Sequence, residues 1–243
     1  MPKLVADSLP LQWLSWLPLL VFVLPVLAVN LAWWISTEAE AIPACIPYLQ
    51  GCASISAAGR GEPAIFMFRG AMIANAVLTM LFWTLAAVWL RLLSVPTSLR
   101  LRAMTWLGIG GSLFLIVYVV YLGSSGEGYR LMRRYGINCY FGLSYLAQLI
   151  LAGFVSRHGE SWGLSRRLSR AMLTSCVLLL LMGLASVPAK EWALDRKALS
   201  NILEWNLSLL LVGFYGLCQL AFRKTAIRVD VRLSPGSDSP PSP

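Results

Sequence analysis

Charged residues are scarce in this chain of 243 residues, where Asp, Glu, Lys and Arg together make up 13% of the sequence. A soluble globular domain carries about 25% of such residues, so the composition argues against a soluble protein. Hydrophobic residues make up 58%, and the mean hydropathy is +0.68. This balance is typical of a polytopic membrane protein, whose helices face lipid and one another.

Histidine is almost absent, since His158 is the one histidine of the chain. A zinc site needs three or four His, Cys or carboxylate ligands around one ion, and the sequence shows no such ligand spacing. A Ser-His-Asp arrangement is disfavoured, because His158 and the serines of the first loop are predicted on opposite sides of the membrane. The sequence therefore predicts no catalytic residue, no metal and no cofactor, and we interpret His158 as a solvated loop residue.

Long apolar runs are abundant. A membrane-spanning helix needs roughly 20 mostly apolar residues, because the hydrocarbon core is ~30 Å thick and a helix rises ~1.5 Å per residue. The runs are continuously apolar rather than alternating, which favours helices over barrel strands. We therefore predict an all-α fold, a six-helix membrane bundle over residues 1–223, and close helix contact at the small residues of GIGGS (Gly108–Ser112). The predicted spans are Leu14–Ile35, Ala64–Leu90, Met104–Gly123, Ile137–Ser156, Ala171–Val187 and Asn201–Phe222.

Basic residues are distributed unevenly between the predicted loops. The N-terminus, the second and fourth loops and the tail carry 12 Lys and Arg residues, and the segments on the other side carry 8. The positive-inside rule then predicts an integral membrane protein with both termini in the cytoplasm, in either a bacterial inner membrane or a eukaryotic endomembrane. The tail, residues 224–243, is rich in Pro and Ser and is predicted to be disordered.

The net charge of +9 does not indicate nucleic-acid binding. The sequence contains no groove-reading motif and no interleaving of basic and aromatic residues. Anionic lipid headgroups are the partners that basic residues at the ends of membrane helices meet. We therefore predict membrane lipids as partners, with other membrane proteins as further candidates, and no nucleic acid.

Two ionisable residues lie inside predicted spans, where such residues are costly and suggest a functional role. Arg69 lies about one and a half turns into the second span, and Glu204 about one turn into the sixth. Both are near the predicted outer surface, so they could pair and lower the cost of desolvation. The alternative is that Arg69 snorkels to the interface while Glu204 is solvated at its helix end.

Uncharged polar residues also occur within the spans. Asn75 and Gln148 are predicted deep in the membrane, and Tyr145 precedes Gln148 by about one turn. Hydrogen bonds between helices are the usual role of such side chains, and a polar cavity is the alternative. Trp205 follows Glu204 and fits the belt of aromatic residues at a membrane interface.

The first loop, which begins CIPYLQGCASISAAGRGEP, is a polar stretch between two apolar runs. Cys45 and Cys52 are predicted on the outer side, where a disulfide can persist, although Cys139 near the same face leaves other pairings open. Ser54 and Ser56 can satisfy backbone groups of an ordered loop. A nucleophilic serine would need a nearby base. We interpret the loop as a cap on the helix bundle.

Three segments resemble the Frag1/DRAM/Sfk1 family of six-helix membrane proteins. Pro47–Ile73, PYLQGCASISAAGRGEPAIFMFRGAMI, resembles the first luminal loop and second helix, nearest to the branch involved in post-GPI-attachment lipid remodelling. Gly142–Gly153 resembles the fourth helix, which carries a Tyr followed by a Gln. Glu204–Tyr215 resembles the start of the last helix in the DRAM branch. Many members carry a His near the start of the fourth helix, where this chain has Tyr135 and Asn138.

The resemblance implies lipid handling or membrane organisation: remodelling of lipid anchors, organisation of plasma-membrane lipids, or a role in autophagy-linked membranes. We expect a polar pocket at the outer leaflet, where Arg69 meets a lipid phosphate or carboxylate and Glu204 orients Arg69. The alternatives are a lipid-modifying enzyme using Ser54 or Ser56 with Glu62 or Glu204, a small-solute transporter, and a structural partner of other membrane proteins. The candidate pocket residues are Ser54, Ser56, Arg60, Arg69, Asn75, Tyr145, Gln148, Glu204 and Trp205.

Overall fold

The computed structural model describes residues 9–10, 12–225 and 230–231. A 3₁₀ helix, Gln12–Trp16, leads into the first of eight α-helices in this part of the chain. A two-residue strand, β1 (Leu9–Pro10), pairs antiparallel with β2 (Asp230–Val231). The helices are α1 (Leu17–Glu38), α2 (Pro47–Gln50), α3 (Ile55–Ala58), α4 (Ala64–Leu92), α5 (Leu99–Val120), α6 (Glu127–His158), α7 (Arg166–Trp192) and α8 (Arg196–Lys224).

Six of the described helices, α1 and α4 to α8, are long and apolar enough to cross a membrane. This confirms the prediction of an all-α fold with six such helices. The orientation of the termini stays a prediction. The predicted disordered tail, residues 224–243, lies mostly outside the described residues.

The helices are longer than most of the predicted spans, and side-chain caps rather than hydropathy mark the starts of α5, α7 and α8. Ser98 caps α5 by accepting a hydrogen bond from the Leu101 amide, and Asp195 caps α8 by accepting from the amides of Lys197 and Ala198. The α6 helix begins at Glu127, well before the predicted Ile137. Apolar runs mark only the part of a helix that fits the membrane, and polar turns extend it beyond.

The six long helices pack as a closed ring in the order α1, α4, α5, α6, α7 and α8, with α8 returning to α1. Gly108 allows α5 to approach α4, because a Cβ at this position would lie 2.2 Å from the fully buried ring of Trp83. This confirms the close contact predicted at GIGGS. The α8 helix is the most buried of the six. In its most apolar stretch half of the residues are buried inside the protein, whereas in that of α7 17% are.

The short helices α2 and α3 come between α1 and α4 in the chain, pack against α8 and α1, and cover one end of this ring. We call residues 39–63 the cap, and the end that it covers the capped end. The opposite end carries the α4–α5 loop and the α6–α7 loop. The cap positions the candidate site.

Candidate functional site

The cap is a compact loop held by local interactions. Cys45 and Cys52 are joined by a disulfide, which is one of the pairings that the sequence left open. The α2 helix ends at Gly51, whose φ of 64° is a left-handed conformation that favours glycine. Ser54 caps α3 by accepting a hydrogen bond of 3.0 Å from the Ala57 amide. These contacts give the cap a defined shape.

Side chains of α8 and α1 fix the cap to the helix bundle by binding its backbone carbonyls. Three come from α8, where Asn201 donates to Gly51 at 2.7 Å, Trp205 Nε1 to Ala53 at 2.9 Å and Asn206 to Tyr48 at 2.9 Å. Ser36 of α1 donates to Ala58 at 2.7 Å. Because buried carbonyls need partners, these four bonds determine where the cap lies.

Two cavities lie beneath the cap and share Tyr118, Ile137, Phe141 and Glu204 as lining residues. The first, the core cavity, has a volume of about 60 Å³. The second, the side cavity, has a volume of about 290 Å³. The core cavity is lined by Pro25, Val26, Val29, Tyr48, Ile55, Phe68, Met72, Leu115, Tyr118, Ile137, Tyr140, Phe141, Glu204, Trp205, Ser208, Leu209, Leu211 and Val212. The side cavity is lined by Ser56, Tyr118, Ile137, Asn138, Phe141, Ser186, Ser200, Leu203, Glu204 and Leu207.

Glu204 lies where the two cavities meet. Its Oε1 accepts a hydrogen bond of 3.4 Å from the backbone amide of Ser56, so the carboxylate also contacts the cap. The Ser56 hydroxyl lies 3.1 Å from that of Ser54. Glu204 is half-buried, and hydroxyls and aromatic rings are among the groups that line the cavities beside it. The site can therefore offer a carboxylate and several hydroxyls to a mostly apolar ligand.

The structure does not show the predicted pairing of Arg69 with Glu204 as a direct ion pair. Two salt bridges occur among the described residues, and neither joins Arg69 to Glu204. The Arg69 guanidinium instead donates to the carbonyl oxygen of Leu122, just beyond the end of α5. Carbonyls at a helix C-terminus lack intrahelical partners, and Arg69 satisfies one of them. Arg69 thus ties α4 to the end of α5 and does not line either cavity.

Four other candidate residues also lie outside the two cavities. Gln148 donates to the carbonyl of Leu211 at 2.9 Å, so it makes the hydrogen bond between helices that is usual for such residues. Asn75 is buried on α4, Tyr145 packs against buried hydrophobic residues of the bundle, and Arg60 is exposed on the cap. These residues hold the bundle together or face outward, and the two cavities are closed by other side chains.

The structure thus brings Ser56, Glu204 and Trp205 together at the cavities, with Ser54 bonded to Ser56. Sequence reasoning missed Tyr118, Tyr140 and Ser208, because a tyrosine or serine in an apolar run resembles an ordinary packing residue. It also missed Tyr48, which lies in the cap. One signal was available for Ser208. It follows Glu204 by four residues, and residues at this spacing share a helix face.

No group of three His, Cys, Asp or Glu residues in the described part of the chain could hold a metal ion. The chain matches no protein-family model, no curated protein and no solved structure. The resemblance to the Frag1/DRAM/Sfk1 family therefore rests on the sequence motifs quoted above, and it stays a prediction.

Proposed function

We propose that this chain is an integral membrane protein that handles or organises membrane lipids by binding one lipid under the cap. The observation that carries the proposal is the pair of connected cavities, in which one carboxylate lies within mostly apolar walls. Ligand sites of this kind combine an apolar lining with a few polar groups that orient the ligand. A lipid has the matching chemistry, since its polar headgroup is attached to long apolar chains.

In this proposal the side cavity is the route from the bilayer. Its apolar lining comes from α6 and α8, at Ile137, Phe141, Leu203 and Leu207, and α7 contributes Ser186. The α7 helix is the least buried of the six long helices, so little protein packs against its outer surface. A lipid could enter between α6 and α7 without leaving the membrane, which favours a lipid over a water-soluble ligand.

The charge of the lining supports a choice of headgroup. Among the described residues that line the two cavities, Glu204 is charged and none is Lys or Arg. We therefore propose that this site takes a cationic or hydrogen-bond-donating headgroup, such as an amine, and revise the earlier expectation that Arg69 binds a phosphate there. The rings of Tyr48 and Trp205, with centroids 5.0 Å apart, add aromatic surface suited to a cation.

The alternative of an enzyme that uses Ser54 as a nucleophile is less well supported. The Ser54 hydroxyl oxygen already accepts the bond that caps α3, which favours a structural role. For a transporter, Asn75, Tyr145 and Gln148 were the expected lining, and they lie away from the two cavities.

We also propose that the capped end faces away from the cytoplasm, with both termini in the cytoplasm, as the distribution of basic residues indicates. The cap would then lie at the outer leaflet, where a disulfide such as Cys45–Cys52 persists. In this proposal the partners are membrane lipids, with no nucleic acid. The family resemblance supports the same function.

Filling the core cavity should remove the bound lipid. Ser208 lines this cavity, so in Ser208→Leu we expect the lipid that copurifies with the protein to fall about tenfold, because overpacking a site of this size costs ~1–3 kcal/mol. Gly213→Leu, on the same helix, is the control, because a Cβ there meets nothing within 4 Å. Mass spectrometry of the protein extracted in mild detergent measures the bound lipid. Equal lipid in the wild type and both variants would contradict the proposal.

A further inference from the structure

A second concave site lies at the opposite end of the bundle, between the α4–α5 loop and the end of α6. Its volume is about 730 Å³. Three basic side chains line it, namely Arg100, Arg157 and His158, together with the hydroxyl residues Ser94, Ser98 and Ser161. The remaining lining residues are Leu93, Val95, Pro96, Leu99, Phe154 and Trp162. This basic site thus combines cationic groups and hydroxyls with apolar walls.

No acidic side chain in the described part of the chain forms a salt bridge with the arginines of this site. Neither of the two salt bridges among the described residues involves Arg100 or Arg157. The one acid in residues 91–102 and 154–170 is Glu160, and its hydrogen bond to Arg166 holds the pKa of that carboxyl below its usual range. Glu160 is therefore ionised and already paired. The N-terminus of α5, which carries a partial positive charge, also faces this region. The electrostatic potential of the site therefore favours an anion.

The side chains around the basic site are held in a packed frame. The His158 ring stacks on Trp162, with centroids 5.7 Å apart, and Trp162 packs edge-on against the buried Trp89 at 6.1 Å. The Leu164 amide bonds the Gly159 carbonyl at 2.8 Å, which closes the turn after α6. Tryptophans at helix ends are typical of the membrane interface. We therefore expect the basic site to lie near the depth of lipid headgroups.

An apolar groove continues from the basic site along α6. A cavity of about 230 Å³ shares Arg100, Phe154, Arg157 and His158 with it, and extends past Gly153 and Ile150 to Leu149. The nine residues from Leu149 to Arg157 span roughly 12 Å of helix. A free phosphate would make no contact with the apolar part of this groove, whereas the acyl chain of a lipid would fill it.

We propose that this site binds an anionic phospholipid, with its phosphate against Arg100, Arg157 and His158 and one acyl chain along the groove of α6. Arginine forks bind phosphate oxygens through charge-assisted hydrogen bonds. Basic pockets between helices are where anionic headgroups bind to membrane proteins. The site is separate from the cavities under the cap, which offer a carboxylate, so the two sites take lipids of opposite headgroup character.

The test is lipid selection by the purified full chain in detergent micelles. The protein is mixed with equal amounts of phosphatidylglycerol and phosphatidylcholine, and native mass spectrometry counts the lipids that stay bound. We expect Arg100→Gln with Arg157→Gln to lower bound phosphatidylglycerol about tenfold. The control is Arg91→Gln with Arg102→Gln, which removes the same charge from exposed residues outside the lining. Equal losses in both double variants would show only general attraction to positive charge, and would overturn the proposal.

A second variant tests the groove independently of charge. A Cβ at Gly153 meets nothing within 4 Å, so Gly153→Leu should fold normally and block the groove. Gly142→Leu is its control, since it is on the same helix with the same open space and lies outside this site. We expect Gly153→Leu, and not Gly142→Leu, to lower bound phosphatidylglycerol. If Gly153→Leu has no effect and inorganic phosphate alone displaces the lipid, the site binds free anions and the lipid assignment is wrong.

Discussion

Replacing Gly51 with alanine should detach the cap from α8. At this position a Cβ would lie 2.1 Å from the carbonyl oxygen of Ala198, which is backbone and cannot rotate away. The φ of 64° adds strain for any residue with a Cβ. The cap would have to shift, which also weakens the bond from Asn201 to the Gly51 carbonyl. We expect a loss of about 3 kcal/mol or more in the free energy of unfolding.

The matched control is Gly163→Ala, in the α6–α7 loop. Gly163 also has a positive φ, of 77°, but a Cβ there meets nothing within 4 Å. Only the backbone strain remains, so Gly163→Ala should lower the free energy of unfolding by about 1 kcal/mol. Unfolding by sodium dodecyl sulfate titration of the protein in micelles measures both values. Equal costs for Gly51→Ala and Gly163→Ala would mean that the cap does not pack against α8 at Ala198.

Trp205→Ala should have the second large effect, because this side chain joins the cap, α8 and the core cavity. Trp205 is 1% exposed, donates to the Ala53 carbonyl and packs edge-on against Tyr48. Truncating a buried tryptophan costs about 3–5 kcal/mol, and here the Ala53 carbonyl also loses its partner. Trp205→Phe keeps most of the ring and should cost about 1–3 kcal/mol, mainly from the unsatisfied carbonyl.

Trp106→Ala is the control for this prediction. Trp106 is 71% exposed, so its truncation should change the free energy of unfolding by less than about 0.5 kcal/mol. The same titration measures the three variants. If Trp205→Ala costs no more than Trp106→Ala, Trp205 is an interfacial anchor, as its sequence context suggested, and does not hold the cap.

The six long helices were predictable because hydropathy reports directly on which segments fit a membrane. The ends of the helices were not, because polar turns extend them beyond the apolar runs and the starts of α5 and α8 depend on single capping residues, Ser98 and Asp195. The role of the first loop as a cap also followed from its polar composition between two spans. The small residues of GIGGS predicted close contact because a residue without a Cβ lets a neighbouring helix approach, and Gly108 fits against Trp83 in this way.

The candidate site was predicted only in part, because depth in the membrane does not determine which side chains meet. Arg69 and Glu204 were placed at similar depth, and that made an ion pair reasonable. The partner of Arg69 depended instead on the end of α5, where the Leu122 carbonyl accepts a hydrogen bond from Arg69. Tyr118 and Tyr140 come together through the packing of α5 against α6, and no pattern within either helix alone indicates that meeting.

The most direct test of the lipid site under the cap is photocrosslinking from inside the side cavity. Leu207 lines this cavity, and Leu181 of α7, which is 55% exposed and lines neither cavity under the cap, is the control. Each is replaced in turn by benzoylphenylalanine, in protein reconstituted with equal amounts of phosphatidylethanolamine, phosphatidylcholine and phosphatidylglycerol. Mass spectrometry then identifies the crosslinked lipids.

At Leu207 we expect crosslinks enriched in phosphatidylethanolamine, whose ammonium group can donate to Glu204, and loss of this enrichment in Glu204→Gln. At Leu181 the crosslinked lipids should follow the bulk composition in both backgrounds. The same bulk composition at Leu207, unchanged by Glu204→Gln, would contradict a lipid site under the cap.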